Sequence, residues 1–208
     1  MNQAEFRLQT DYSAIIIVGA WNKNIFNPDW ISKFLLPNTD LKVEITLFVD
    51  GSPKISTNKV RIYILGNKLN LVPLDLSDNN FENIQEMAIK IADYLPHTPV
   101  TAYGINFKYE GSVNDNIKSF IPTDEFGNYE KNKMIIKDFQ RKLCLDYDDK
   151  TVNLIISSDN TITGIEVNFH FGLKNLQEFK EKMDSNNILD LKSIAQNVLS
   201  EIYQININ

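Results

Sequence analysis

Along this chain, stretches whose apolar residues recur at every second position alternate with stretches where they recur every three to four. The first, Ser13 to Ala20, is almost wholly apolar, which predicts a strand buried on both faces. Asn27 then stands where a helix N-cap belongs, with Pro28 at the first helical position and Asp29 placed to complement the helix dipole. Trp30, Ile31, Phe34 and Leu35 share one face of that short helix, and Pro37 stops it. Three strands of period two follow, at Leu41 to Val49, Lys59 to Leu65 and Lys68 to Leu74. In the first of these Leu41, Val43, Ile45, Leu47 and Val49 point inward, and in the second Val60, Ile62 and Ile64. Gly66-Asn67 marks a turn, so the last two strands form a hairpin. Ser77 or Asp78 caps a helix carrying Phe81, Ile84, Met87, Ala88, Ile91 and Leu95 at helical spacing, and Pro96 ends it.

The second half runs through the same order. Val100 to Tyr109 reads as a strand, Asp115 to Ile121 as a short helix, and Thr123 to Lys133 as a loop. Strands follow at Lys137 to Tyr147, Thr151 to Ser157 and Gly164 to Phe171, separated by the turns Asp148-Asp149-Lys150 and Ser158-Asp159-Asn160. Helices near Leu173 to Met183 and Leu189 to Tyr203 close the chain, the latter burying Leu191, Ile194, Ala195, Val198 and Ile202. Motifs match as well as elements: Gly19 falls on Gly104 and Pro37 on Pro122 at one offset, with Phe34 and Phe120 slipped by a residue. The expectation is an α+β fold of duplicated β-α-β-β-β-α units, about 12–97 and 99–205, within one globular unit spanning 1–208. Helices pack on one face of a curved antiparallel sheet, or of two sheets meeting at a pseudo-twofold axis. Pro96-His97-Thr98-Pro99 is too short and constrained to tether independent halves. The core is expected to contain Ile45, Ile62, Leu71, Ile105, Leu154 and Val167.

Composition narrows the functional classes. A net charge of -6 and only three widely spaced arginines, Arg7, Arg61 and Arg141, argue against nucleic acid as a partner, because phosphate binding needs clustered cations. The short basic run Lys131, Lys133, Lys137, Arg141 and Lys142 is diluted by Glu130, Asp138 and Asp146. The single Cys144 excludes an internal disulfide and a thiolate metal cage. The opening Met1-Asn2-Gln3-Ala4-Glu5-Phe6-Arg7 does not read as a secretory leader and no run is long enough for a membrane span, so a cytoplasmic setting is expected. Frequent Asn, Ile and Lys suggest an AT-rich bacterial or phage genome.

Few residues invite chemistry. Asp146, Asp148, Asp149 and Asp159 could gather a hard cation, but lack the order of a calcium loop and suit hairpin turns, so no metal is expected. Gly19 and Gly104 begin no phosphate-binding fingerprint, and no cofactor is expected. No G-x-S-x-G occurs, and Cys144 has no neighbouring histidine. His170 lies opposite Val167, Phe169 and Phe171 on its strand and shares a face with Glu166 and Asn168, a row that is either a polar binding surface, an acid-base pair or a solvated sheet face. His97, between two prolines, reads as a turn residue. Trp21, Phe26 and Trp30 in the first connection, with Tyr103 and Tyr109 in the second half, are interaction candidates or fill the crease between the halves. With no catalytic residue singled out, the leading reading is a non-enzymatic protein-interaction module, a subunit or adaptor of a larger bacterial or phage assembly, with a protein partner or a second copy of itself. The alternatives are an apolar-ligand binder using a cleft between sheet and helix, and an enzyme using Glu166 and His170.

Overall fold

A computed structural model of the chain describes residues 5–37, 39–44, 53–112, 129, 131–134, 137–159 and 161–207. In chain order its elements are β1 (Glu5–Leu8), β2 (Ile15–Gly19), α1 (Pro28–Phe34), β3 (Lys42–Glu44), β4 (Lys54–Ser56), β5 (Val60–Leu65), β6 (Lys68–Pro73), α2 (Asp78–Tyr94), β7 (Val100–Ser112), β8 (Phe139–Tyr147), β9 (Lys150–Ser158), β10 (Ile162–Gly172), α3 (Leu176–Ser185), α4 (Ile188–Asn197) and β11 (Asn206–Ile207). The architecture is α+β, built on one sheet with strand order β3-β4-β5-β6-β2-β7-β10-β9-β8. Of the two sheet arrangements left open by the pattern, the continuous one is formed.

The longest strand, β7 at 13 residues, organises the centre. One of its edges takes all of β10, with Val167 opposite Phe107 and Phe169 opposite Ile105. The other is shared by β2 opposite its first part and β1 opposite Tyr109–Gly111, both antiparallel to it. Outward from β2 come β6, β5 and β4, and outward from β10 come β9 and β8. The joint between β1 and β11 is the one parallel pair among the described strands.

Alternation gives this sheet one apolar face. Ile15 and Ile17 of β2, Leu69 and Leu71 of β6, Ile105 and Phe107 of β7, Leu154 and Ile156 of β9, and Val167 and Phe169 of β10 are all buried. Helix α2 reaches this face through Phe81, whose ring lies 6.0 Å from that of Phe107, and α3 through Phe179, 5.1 Å from Tyr103. Gln85 of α2 ties the two later helices together: its Nε2 donates to the Met183 carbonyl of α3 at 2.6 Å, and its Oε1 accepts from the Ile188 N–H of α4 at 2.7 Å. Both partners belong to helix ends, where backbone groups lack intrahelical bonds.

Local signals were followed closely. Asn27 Oδ1 accepts the Trp30 N–H at 2.9 Å, and Pro28 opens α1. Gly66 adopts φ 60 in the β5–β6 turn, a conformation costly for residues with a Cβ. At α2 the Ser77 side chain makes no capping bond, and Asp75 instead accepts the Ser77 N–H at 2.8 Å.

Several expectations need correction. Val43 was expected inward and is 42% exposed, because β3 is the terminal strand of its side of the sheet among the described strands. Ile202 is 67% exposed although the helical spacing placed it inside. Its last turn, Val198–Ile202, is a π-helix, and the wider turn puts Leu199 and Tyr203 against the core beside the partly buried Val198 and leaves Ile202 outside. Strands β1, β4 and β11 were not anticipated, being no more than four residues long. Strand β2 is less uniform than its sequence, with Ile16 and Val18 only partly covered. Ile45, the helix expected at Asp115 to Ile121, and the matched Phe120 and Pro122 lie outside the described residues. No described helix is long and apolar enough to cross a membrane.

Candidate functional site

The face opposite the apolar one is polar, and its residues follow from strand parity alone. On β10, Thr163, Ile165, Val167, Phe169 and Phe171 are buried, so Glu166, Asn168 and His170 emerge on the other side, the first two half-buried and His170 exposed. Register sets their neighbours. Glu166 lies between Lys108 and Ile155, Asn168 between Asn106 and Asn153, and His170 between Gly104 and Thr151.

Three of these asparagines form a hydrogen-bonded row that runs across the strands. Asn153 Nδ2 donates to Asn168 Oδ1 at 2.9 Å, and Asn168 Nδ2 donates to Asn106 Oδ1 at 2.6 Å. Asn106 Nδ2 in turn donates to the Ser13 carbonyl at 2.8 Å, while its backbone N–H donates to Ala14. Ser13 Oγ donates to Asn70 Oδ1 at 3.0 Å and lies 3.4 Å from the Tyr63 hydroxyl. Asn70 Nδ2 ends the row on the Lys68 carbonyl at 2.9 Å. An amide side chain has both an acceptor and donors, so it can receive from one neighbour and give to the next, as no carboxylate or ammonium can. Gly104 makes room for the row: a Cβ there would stand 2.8 Å from Asn168 Nδ2. At one end of this face, Lys108, Glu110, Asp138, Phe139, Ser157, Asp159 and Gly164 line an open groove of about 350 Å³, in which Lys108 pairs with Glu110 at 2.8 Å.

An acid-base pair of Glu166 and His170, one of the readings open to this row, is not formed by this geometry. They sit four positions apart on one strand, roughly 13 Å at the usual rise, with Asn168 between them and committed to both neighbours. The aromatic candidates divide. Trp21, Phe26, Tyr103 and Tyr109 are 8%, 2%, 0% and 0% exposed, so a partner cannot reach them in this structure. Trp21 donates its Nε1–H to the buried Ile17 carbonyl at 2.9 Å and packs edge-on against Phe26. Tyr103 stacks on Phe171 at 4.4 Å, and burial, then the charge of Asp149, holds its hydroxyl protonated far above the ordinary tyrosine range. Of the five rings, Trp30 alone is partly accessible, in a cluster with Phe34 and Tyr94.

The acidic residues serve their own turns. Asp159 Oδ1 accepts from the Thr161 hydroxyl and from the Thr161 and Ile162 N–H groups at 2.7, 3.0 and 2.9 Å, which lowers its pKa to about 2. Asp149 pairs at 3.0 Å with Lys150, a lysine buried between the rings of Tyr147 and Phe171, and that bond lowers the Asp149 pKa. Among the described residues no three His, Cys, Asp or Glu side chains converge to hold a metal ion. Cys144 and His97 are exposed. Phe81, Ile84, Ile105 and Phe107 fill the space between the centre of the sheet and α2, and beside α2 a cleft of about 180 Å³ remains, lined by Leu35, Leu36, Val60, Ile84 and Met87.

The asparagine row was missed by sequence reasoning. Its signal was present as asparagines interrupting apolar alternation at 70, 106, 153 and 168, but only register reveals that they adjoin. The chain matches no protein-family model and no curated protein sequence.

Proposed function

We propose that the chain is a non-enzymatic protein-interaction module, a subunit or adaptor of a larger assembly, that presents the polar face around Glu166, Asn168 and His170 to a protein partner. The observation that carries this reading is the row from Asn153 to Asn70, which satisfies side-chain amides within the sheet and so holds a polar surface in one geometry before any partner arrives. Preorganised side chains lose less entropy on binding than mobile ones. The ionisable groups beside the row, Lys108, Glu166 and His170, offer charge at its margin for selecting a partner.

The halves are read as copies of one β-α-β-β-β-α unit with helices on a single face. The strand orders β4-β5-β6-β2 and β8-β9-β10-β7 support this, because each half returns its last strand beside its first. Superposing 13–95 on 100–203 in a crystal structure, with Gly19 over Gly104, tests it.

The functional reading is tested by photocrosslinking in the native host, with a benzophenone side chain replacing His170 or, as control, Tyr94 on α2. A discrete adduct with another protein from position 170, absent from position 94 and lost in Glu166→Lys, is the expected result. Adducts from position 94 and none from 170 would overturn it.

A further inference from the structure

At one edge of the sheet lies β8, nine residues long, and none of the described residues pairs with its outer side. Asp148, at φ 52, and Asp149 form the two-residue turn that joins it to β9, with Tyr147 and Lys150 as the closing pair. A closing pair of this kind is hydrogen-bonded, and antiparallel bonding alternates along the strand. Phe139, Arg141, Leu143, Leu145 and Tyr147 therefore direct their backbone groups at β9. Gln140, Lys142, Cys144 and Asp146 direct theirs at the open edge.

A long edge with free N–H and C=O groups is a template for another strand unless something blocks it. Strand β8 carries no proline, and Leu145 and Tyr147 are 45% and 44% exposed on the side that continues the apolar face. Its charges are ordered as well: Lys142 precedes Cys144 by as many positions as Asp146 follows it, and Leu143 and Leu145 flank that centre.

We propose that β8 pairs antiparallel with β8 of a second copy of this chain, about a two-fold axis passing at Cys144. In this register Lys142 of each copy faces Asp146 of the other, Leu143 faces Leu145, and Arg141 faces Tyr147. Opposed residues share strand parity, so the apolar face meets the apolar face and the polar face meets the polar face across the joint. Other registers do worse in charge or in length: centring on Leu145 or on Gln140 sets Lys142 against Asp148 or Asp138 but pairs only Leu143 to Tyr147 or Phe139 to Arg141 of the strand. Centring on Lys142 or on Asp146 sets like charges opposite each other, centring on Leu143 leaves Lys142 facing Cys144, and a parallel in-register pair stacks Lys142 on Lys142. Among the described strands the opposite edge is β3, where Lys42 and Glu44 also stand on either side of Val43, but only three of its residues are available to pair against the seven, Arg141 to Tyr147, that β8 offers. Because the surface around His170 stays open in the dimer, this inference stands or falls separately from the proposed partner.

Sedimentation velocity on the full chain tests it with a charge swap. Wild type is expected to dimerise, Lys142→Asp and Asp146→Lys each to weaken the dimer about tenfold or more, and the double variant to restore it. A wild type that stays monomeric at ~100 µM, or a dimer indifferent to both reversals, would overturn the pairing. Should a reversal unfold the chain, crosslinking decides. Paired Cα atoms at the axis stand about 5.5 Å apart, within disulfide reach, so diamide should convert wild type to a covalent dimer. Moving the thiol off the axis, as Gln140→Cys with Cys144→Ser, should abolish that product, and its persistence would refute the register.

Discussion

Asn168 occupies the middle of the polar row, and its amide is spoken for on both sides, accepting from Asn153 and donating to Asn106. Truncation to Ala orphans both partners in a partly covered setting, so Asn168→Ala should lower stability by about 1 to 3 kcal/mol in chemical denaturation. Asn168→Asp keeps an acceptor for Asn153 but loses the donor to Asn106, and should fall between. A Cβ at Gly104 collides with the same amide, and Gly104→Ala should cost about 1 to 3 kcal/mol for that reason alone. Asp159 gives a pH signature. Its carboxyl has a pKa near 2 in the fold against an ordinary value of 3.8, so its contribution to stability is complete above about 4 and disappears as the pH falls to 2. The melting temperature of wild type should exceed that of Asp159→Ala at pH 6, with the gap closing by pH 2. A gap independent of pH would mean the turn is held by something other than the carboxylate.

At the level of elements, the helices are joined through Gln85 and end in a widened turn. Gln85→Leu preserves volume approximately while leaving the Met183 carbonyl and the Ile188 N–H without their side-chain partner, so a loss of about 2 to 4 kcal/mol is expected in urea melts. An unchanged midpoint would show that water replaces the amide. In the π-helical turn, Leu199→Ala should cost about 2 to 5 kcal/mol, as large-to-small core changes do, whereas Ile202→Ala should stay within about 0.5 kcal/mol. The apolar spacing of this last helix was readable, but its phase at the end was not. Tyr203 and Ile205 bury their side chains only if the turn widens, and that gain depends on elements distant in sequence.

Across the whole molecule, β2 and β7 join the halves by a ladder, Ile15 opposite Ile105 and Ile17 opposite Tyr103, whose register shifts only between Val18 and Gly19. Buried apolar residues form one cluster on both sides of that seam, including Ile62, Leu71, Ile105 and Val167. Neither half can expose its seam without losing main-chain bonds and core contacts together, so unfolding should be a single transition. The two tryptophans, Trp21 and Trp30, both lie in the first half, which makes fluorescence a reporter for that half alone. Its thermal midpoint should coincide with that from far-ultraviolet circular dichroism; separate midpoints would show two independent units.

What the amino-acid order determined by itself is local. Period-two stretches placed β5, β6, β9 and β10 and the burial of Ile62, Leu71, Leu154 and Val167, because a strand sends alternate side chains to opposite faces whatever lies beside it. Asn27-Pro28 likewise set the start of α1 through backbone bonds within one turn. Tertiary structure decided which of the exposed-looking residues matter. Trp21, Phe26, Tyr103 and Tyr109 are aromatic at any address, but strand pairing and helix packing put them inside. Glu166 and His170 share a face, as parity requires, yet the strand's rise keeps them apart. Asn70, Asn106, Asn153 and Asn168 are scattered through the chain and become one row only because β6, β2, β7, β10 and β9 lie side by side, a proximity set by register rather than by sequence distance.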